Sequence, residues 1–318
     1  MITYHLLAIT IAFALDLIIG DPPNWPHPVR WMGSLIHRLD KSWNSGSFKK
    51  IKGIWMLFTL LFVVTGIVFL IIGVGYWIHP VVGILIEGVI ISTAIAQKSL
   101  KEAALSVYEP LARGDMDVAR QKLSYIVGRD TSMLDEPEIV RAAVETVAEN
   151  TSDGITAPLF WAIIGGAPLA LAYRAINTCD SMVGYRNEKY KDFGWASARL
   201  DDVVNWIPSR LTSFCMMLSN RFEKLSCREA WHILMRDAKK HPSPNSGWGE
   251  AAVAAIMGVQ LGGVNYYKGI ISNRAKMGNS LVPLEKGHIL KVNKIVTNTV
   301  LLFILLLWLG GMLIDTWF

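Results

Sequence analysis

The sequence has little charge and few cysteines. Only 18% of its 318 residues are charged and 52% are hydrophobic, a balance typical of membrane proteins. Its lysines and arginines form no long block and the formal net charge is only +5, which argues against a nucleic-acid partner. The three cysteines (Cys179, Cys215 and Cys227) show no CxxC pair and no zinc-ligand spacing, so we interpret them as reduced thiols.

Several sequence motifs of enzymes are also absent. The chain contains no G-x-x-x-x-G-K-[ST] phosphate loop, no G-x-G-x-x-G fingerprint, no G-x-S-x-G elbow and no H-E-x-x-H zinc motif. It has no internal repeat and no low-complexity tract. If the protein uses a nucleotide, it therefore holds it without a P-loop.

Four apolar runs have about the 20 residues that a membrane-spanning helix needs: 2–19, 54–76, 79–97 and 295–314. The first run lacks a basic flank and a cleavage site, so we read it as a retained helix rather than a signal peptide. Basic residues concentrate in 21–53 and 98–155, whereas the turn near Pro80 and both termini have none. The positive-inside rule then predicts an integral cell-membrane protein with both of these loops in the cytoplasm and both termini outside.

Two further apolar segments contain helix breakers or charges. Residues 156–176 include Gly165, Gly166 and Pro168, and residues 200–218 include several polar side chains. We expect broken or re-entrant helices there, since irregular backbone at membrane depth must be buried in protein or line a wet cavity. The predicted fold class is thus an all-α polytopic membrane protein with four firm transmembrane helices, two broken segments and a helical cytoplasmic region. We expect one membrane domain, 1–318, with 98–155 as a cytoplasmic helical insertion.

An acidic stripe precedes the first broken segment. Successive helical residues turn by about 100°, so Glu145 and Glu149 share one face and Asp153 follows them toward the membrane. Carboxylates grouped in this way suit Mg²⁺, which keeps most of its waters and also binds substrate phosphate. The alternative is a solvated face with an Arg141–Glu145 pair at i,i+4 spacing.

A second polar stretch runs from 174 to 210. It combines acidic, amide and basic side chains, among them Asn177, Asp180, Arg186, Lys189, Asp201, Asp202 and Asn205. This mixture between two membrane-embedded segments predicts a polar cavity for a charged ligand. An interfacial loop that meets lipid phosphates is the alternative, and it accounts well for Lys189.

Two other stretches could carry polar chemistry. "SPNSGWGE" places Asn245 before a small-residue helix, whose free N–H groups could hold a phosphate. The small residues could equally serve close helix packing. His27 lies in the proline-rich loop that follows the first apolar run.

These stretches closely resemble the adenosylcobinamide-phosphate synthase family of cobalamin biosynthesis, the CobD/CbiB proteins. The resemblance rests on "DLIIGDPPNWPHPVRWMG", "GRDTSMLDEPEIVRAAVETVAENTSDGITAPLFW", "AINTCDSMVGYRNEKYKDFGWASARLDDVVNWIPSRLT" and "SPNSGWGEAA…GGVNYY". Gly249 stands where the family favours proline, and Met133 where a basic residue is common. Both departures are minor.

The resemblance implies an ATP-dependent ligase with Mg²⁺ and a cytoplasmic active site. It would join a corrinoid, adenosylcobyric acid, to (R)-1-amino-2-propanol O-2-phosphate or ethanolamine phosphate. Fitted to that chemistry, the metal candidates are Glu145, Glu149 and Asp153, and the candidates for the base are Asp180, Asp201, Asp202 and His27. The candidates for binding substrate and phosphate are Arg129, Arg186, Lys189, Asn150, Asn177, Asn205 and Asn245. The partners are these substrates and the lipid bilayer, and a homo-oligomer is left open.

Two other classes of protein share some of these features. A transporter for a charged metabolite also has broken helices and intramembrane carboxylates. Against it stand the few firm spans, the missing inverted repeat and the polar residues gathered on one side. The third class is a non-catalytic membrane sensor of the same fold, in which the acidic residues would be freely replaceable.

Overall fold

A computed structural model describes residues 2–22 and 25–317 of the chain. It is 73% helical and has one small two-stranded sheet, which confirms the predicted helical class. The elements run in the order α1 (Ile2–Ile18), α2 (Pro28–Trp43), α3 (Lys49–Ile78), α4 (Pro80–Ser92), α5 (Gln97–Ala112), α6 (Met116–Ser124), α7 (Glu136–Thr151), α8 (Ala157–Val183), α9 (Trp195–Val204), α10 (Trp206–Ser219), α11 (Cys227–Asp237), α12 (Ser246–Met257), β1 (Leu261–Tyr267), β2 (Ile270–Met277) and α13 (Gly287–Trp317). A π-helical turn, Ser152–Thr156, joins α7 to α8.

The chain divides into two compact units. The first unit comprises Met1–Ala96, Asp153–Asn205 and Leu305–Phe318, and the second comprises Gln97–Ser152 and Trp206–Ile304. The single membrane domain expected from the sequence stays a prediction, because it concerns the placement of the chain in a bilayer.

Within the described residues, four helical stretches are long and apolar enough to span a membrane: Lys49–Ile78, Pro80–Ala112, Glu136–Val183 and Gly287–Thr316. Two of them contain the predicted runs 54–76 and 295–314, and a third overlaps the run 79–97 from residue 80 onward. The fourth is not the predicted run 2–19, because α1 has only 17 residues. It is instead the helical stretch through α7 and α8, for which the sequence predicts a helical insertion followed by a broken segment.

The turn between α3 and α4 is tight, since only His79 separates the two helices. Pro80 occupies the first turn of α4, where its missing N–H costs nothing. The side chain of His79 caps this helix, since its Nδ1 accepts the Val81 N–H at 3.2 Å. The hairpin between the two apolar helices is therefore set by local sequence.

The predicted break in 156–176 lies at Gly165 and Gly166, which leave helical geometry. Gly166 has φ +63°, and a Cβ at this position would collide with Glu87 Oε1. The same oxygen accepts the Ala167 N–H at 3.0 Å and so caps the second half of α8. The predicted break in 200–218 falls at Asn205, between α9 and α10.

The sheet of the second unit is a hairpin that the sequence analysis did not anticipate. Strands β1 and β2 are antiparallel and are joined through Lys268 and Gly269, both at positive φ. The Asp130 carboxylate accepts both N–H groups of this turn. On the other side Arg141 donates to the carbonyls of Gly262 and Val264, which fastens β1 to α7.

Close helix contact between α7 and α12 also positions the second unit's polar residues. A Cβ on Gly249 would stand 2.6 Å from the Ala148 carbonyl oxygen, so only glycine permits this approach. The residues that follow in α12, from Ala251 to Ala255, are completely buried. The small residues of "SPNSGWGEAA" therefore do serve close packing.

Candidate functional site

A hydrogen-bonded group in the first unit contains Tyr173, Asn177, Asp201 and Asn205, and together with the nearby Asp180 we call it the aspartate–asparagine cluster. All of these except Tyr173 are predicted site residues. Asp201 lies at its centre, where Oδ1 accepts from Asn177 Nδ2 at 3.3 Å and Oδ2 accepts from Asn205 Nδ2 at 3.1 Å. Tyr173 donates its hydroxyl to Asn205 Oδ1 at 2.8 Å. Asn177 on α8 and Asn205 at the end of α9 thus each donate one hydrogen bond to the same carboxylate.

The electrostatics of this cluster change the chemistry of Asp201. Helix α9 has ten residues, too few to span a membrane, and Asp201 lies outside the candidate spans. Burial and the nearby charge of Asp180 raise the pKa of Asp201 from 3.8 to about 7, against the lowering effect of the two amides. A carboxylate with this pKa can exchange a proton near neutral pH.

The backbone of Asp153 belongs to the same region. The Tyr173 hydroxyl donates to the Asp153 carbonyl at 3.2 Å, and Arg174 Nη1 donates to it at 3.4 Å. Asp153 therefore lies in the first unit, whereas Glu145 and Glu149 lie in the second.

The other predicted residues of the first unit have different surroundings. Asp202 lies 3.9 Å from Arg199, and burial raises its pKa although Arg199 and Arg186 lower it. Arg186 is exposed. His27 caps α2 through Nδ1 and places Nε2 3.1 Å from Asp21, so both ring nitrogens are engaged and it suits the role of base poorly.

The ammonium group of Lys189 forms hydrogen bonds with neighbouring side chains and is therefore not available to a phosphate group. Its Nζ lies 3.0 Å from Asp40 Oδ2 and 2.6 Å from the Tyr190 hydroxyl. Hydrogen bonds to Tyr190 and Asp40 raise the pKa of Lys189. Asp40 is buried, and although burial raises its pKa, hydrogen bonds from Asn44, Lys189 and Tyr190 bring that pKa below its ordinary value.

The second unit holds a group with a different composition, the glutamate–arginine cluster: Arg129, Glu145, Glu149, His241, Glu250 and Arg274. Glu145 is only 3% exposed, and Arg129 Nη2 donates to its Oε2 at 2.6 Å while the Gly262 N–H donates to its Oε1 at 2.7 Å. The solvated-face alternative is therefore wrong, and Arg141 pairs with β1 instead of Glu145. Glu149 accepts the Ser246 hydroxyl at 2.8 Å.

Glu250 differs from the other carboxylates of this cluster in its hydrogen bonding. It is 1% exposed, and neither carboxylate oxygen accepts a hydrogen bond within the part of the chain that the structure describes. His241 Nε2 lies 3.7 Å from its Oε1. Burial, then the charges of Glu145 and Glu149, raise the pKa of Glu250 well above its ordinary value. A buried carboxylate in this position requires a proton or a cation for neutralisation.

Two basic side chains flank Glu250. Arg274 Nη1 lies 3.2 Å from His241 Nε2, and its Nη2 donates to the Tyr267 hydroxyl at 2.9 Å. Burial lowers the pKa of His241, which keeps the imidazole neutral at pH 7. Burial lowers the pKa of Arg274, but the electrostatic influence of Tyr267 and Glu250 outweighs it and raises that pKa above its ordinary value.

Three residues of this unit that were predicted to bind substrate or phosphate form hydrogen bonds within the protein instead. Arg129 donates to Asn265 Oδ1 and Glu145, so its guanidinium stabilises the fold. Asn150 donates to the Thr146 carbonyl of its own helix. Asn245 is buried, and its Oδ1 accepts from Ser209 and Arg210.

The carboxylates of this cluster differ in how well they fit a magnesium ion. Among the described residues, no group of three or more His, Cys, Asp and Glu side chains is arranged to hold a metal. Both oxygens of Glu145 are already occupied, so it fits poorly as an open ligand. Glu250 fits well, because its two oxygens are orphaned, and Mg²⁺ needs only one or two carboxylates beside substrate phosphate and water.

Sequence reasoning missed part of this cluster. The sequence patterns do not single out Glu250, His241 or Arg274. "HPSPNSGWGE" already contains His241 and Glu250 within ten residues. Arg274 lies on the unanticipated hairpin, so it could not be found without β2.

The chain is similar to known proteins over nearly its whole length. The family described as "CobD/Cbib protein" matches residues 9–296. A Halalkalibacterium halodurans protein named "Cobalamin biosynthesis protein CobD" is 53% identical over 312 residues, covering 98% of each chain. A protein of the same name from Clostridium perfringens is 48% identical over 91% of this chain and 93% of its own length. Another, from Geobacter metallireducens, is 48% identical over 86% of each chain. No solved structure matches the chain. The chain therefore belongs to the CobD/CbiB family.

Proposed function

We propose that this protein acts in cobalamin biosynthesis as an ATP-dependent synthase that forms adenosylcobinamide phosphate. The substrates are adenosylcobyric acid and (R)-1-amino-2-propanol O-2-phosphate or ethanolamine phosphate. Membership of the CobD/CbiB family supports the cobalamin role, since its relatives carry that name. Four apolar helices support a membrane location. The proposal includes a cytoplasmic active site and external termini, as the distribution of basic residues suggests.

The reaction poses two chemical problems. The corrinoid carboxylate must lose an oxygen, and hydroxide is a very poor leaving group. Transfer of the γ-phosphoryl group of ATP to this carboxylate would give an acyl phosphate and ADP. The neutral amine then attacks the carbonyl carbon, and phosphate leaves as the amide forms. The amine must first give up its ammonium proton.

The proposal rests on the environment of Asp201, which raises the pKa of this side chain. Its pKa of about 7 lets it accept the ammonium proton at neutral pH. Asn177 and Asn205 fix its orientation through one hydrogen bond to each oxygen. Asp180 keeps this pKa high through its charge.

The glutamate–arginine cluster supports the other half of the reaction. Glu250, assisted by Glu149, would hold Mg²⁺, which when bound neutralises phosphate charge. Arg274 adds a half-buried positive charge near the same carboxylate. This assignment replaces the predicted ligand set of Glu145, Glu149 and Asp153 by one that uses Glu250.

The test is direct. Protein purified in detergent is given adenosylcobyric acid, aminopropanol phosphate, ATP and Mg²⁺, and the amide product is measured by mass spectrometry. We expect a product that depends on ATP and is lost in Asp201→Asn. Absence of product, with flux of either substrate into proteoliposomes, would overturn the synthase in favour of a transporter. Absence of both activities, with corrinoid binding retained, would favour a sensor.

A further inference from the structure

A groove of about 740 Å³ lies in the second unit. It is formed by the segment 219–224, the C-terminal end of α12 and the first turns of α13. We call it the basic groove, after its charged lining residues Arg221, Glu223, Lys224, Lys291 and Lys294. Its volume falls within the range of about 300–1,000 Å³ that is typical of small-molecule sites.

The charge of the basic groove is unbalanced. Lys291 Nζ lies 2.7 Å from Glu223 Oε2, so these two neutralise each other. Arg221, Lys224 and Lys294 are exposed and form no ion pair with any described carboxylate. Three uncompensated cations around one concave surface favour a ligand that carries several negative charges.

The remaining lining is partly apolar and partly amide. Ile256, Met257 and Ile295 are buried and form an apolar wall. At the polar side Asn298 donates to Asn220 Oδ1 at 2.9 Å, which fixes both amides. The lining thus suits a ligand with a phosphate end and an apolar end.

We propose that the basic groove binds a phosphate ester through Arg221, Lys224 and Lys294. The planar guanidinium can take two phosphate oxygens, while each ammonium takes one. A nucleoside triphosphate meets this description, with its base on the apolar wall. The headgroup of an anionic phospholipid offers the same phosphate chemistry, because α13 is a candidate membrane span.

Helix α12 connects the basic groove with the glutamate–arginine cluster. Glu250 and Met257 lie on this one helix, about 10 Å apart along its axis at 1.5 Å per residue. A nucleotide in the groove would therefore lie on the same helix as the proposed magnesium ligand. Only the connection between the groove and the magnesium ligand depends on the proposed function. Phosphate binding in the groove can be measured without turnover.

The experiment compares two variants that each lose three positive charges. The groove variant is Arg221→Gln, Lys224→Gln, Lys294→Gln, and the matched control is Lys122→Gln, Lys239→Gln, Lys276→Gln, all exposed residues of the same unit. One arm measures binding of the ATP analogue AMP-PNP by calorimetry in detergent free of phospholipid. The other measures the preference of the protein for nanodisc lipids, with phosphatidylcholine alone or mixed with phosphatidylglycerol.

We expect the groove variant to bind AMP-PNP at least tenfold more weakly, because the loss of one charged contact corresponds to a factor of about ten in Kd. The Kd of the control variant for AMP-PNP should change by less than about twofold. Loss of the phosphatidylglycerol preference instead would support the phosphate-ester site and name lipid as the source. Equal behaviour of both variants in both arms would overturn the inference. Wild-type turnover in a groove variant would leave the synthase proposal intact while refuting nucleotide binding in the groove.

Discussion

The two units treat their buried carboxylates in different ways. In the aspartate–asparagine cluster, two neutral amides each donate one hydrogen bond to Asp201. In the glutamate–arginine cluster, Glu145 has an arginine and a backbone N–H, whereas Glu250 has no hydrogen-bond donor among the described residues. The first arrangement holds a carboxylate in position and leaves its proton exchangeable. The second leaves a site for a cation.

This difference bears on the division of work in the proposed reaction. Separate environments that push the pKa values of carboxylates in different ways are a general means of assigning acid–base roles. Asp201, with a pKa of about 7, suits proton transfer. Glu250 has a pKa raised by burial and by two neighbouring carboxylates, so a metal ion that displaces its proton would be favoured as pH rises.

The largest effect is expected for Asp201→Asn. It keeps the shape of the side chain but removes the proton acceptor, so the rate of amide formation should fall by about 10²–10⁴-fold. In the wild type, kcat/KM should rise with pH up to about 7, since Asp201 must lose its proton to act. The control Asp192→Asn alters an exposed carboxylate. An unchanged pH–rate profile in Asp201→Asn would remove Asp201 from the mechanism.

The same residue predicts a change in stability with pH. Its folded-state pKa is raised, so the folded protein binds the proton more tightly than the unfolded chain. This contribution is complete below about pH 4 and is lost as pH rises toward about 7. We expect the difference in Tm between Asp201→Asn and the wild type to grow over this interval, in favour of the variant. A constant difference across the interval would contradict the raised pKa.

The next effect concerns Glu250→Gln. Loss of a magnesium ligand should lower activity by about 100-fold or more, which corresponds to about 2.7 kcal/mol of transition-state stabilisation. Bound Mn²⁺ measured by electron paramagnetic resonance should decrease in this variant, and wild-type Mn²⁺ affinity should rise with pH because a proton competes for the same carboxylate. Glu285→Gln changes an exposed carboxylate of the same unit and serves as the control. Full Mn²⁺ binding by Glu250→Gln would exclude Glu250 as a ligand.

The variant Arg129→Gln tests whether the ion pair between Arg129 and Glu145 is structural. Arg129→Gln leaves Glu145 buried without its counter-charge, and breaking a buried pair in this way costs about 3–5 kcal/mol. We expect a lower Tm in detergent. The double variant Arg129→Gln, Glu145→Gln should recover part of the loss, since it removes the unpaired charge. If Arg129→Gln retains its Tm and instead weakens binding of aminopropanol phosphate, the predicted phosphate role is correct.

The parts of the molecule that were predictable from sequence are local. The break at Gly165 and Gly166 follows from backbone freedom, and Asn205 lies one helical turn after Asp201, so their contact is encoded in i,i+4 spacing. Asn177 joins them because it belongs to the helix that packs beside α9. These are properties of single elements or of neighbouring ones.

The parts that were not predictable depend on contacts between distant residues. An acidic stripe has the same periodicity whether it faces water or Arg129, so Glu145 gave no sign of its burial. Glu250 meets the charges of Glu145 and Glu149 only because Gly249 lets α12 approach α7. The hairpin that contributes Arg274 contains two adjacent glycines in β1, which weakened its strand pattern.

The smallest effect is expected for Lys189→Ala. Lys189 is 60% exposed on its side chain, and ion pairs of this kind contribute about 0–1 kcal/mol. Asp40 keeps its hydrogen bonds from Asn44 and Tyr190 when the ammonium is removed, so no buried carboxylate is left without a partner. The KM for aminopropanol phosphate should therefore change by less than about twofold, while loss of a direct phosphate contact would raise it about tenfold. The lysine of the first unit would then differ from Arg129 of the second in energy as well as in burial. The Arg129 side chain is 7% exposed and the Lys189 side chain 60% exposed, so only loss of the arginine is expected to cost about 3–5 kcal/mol.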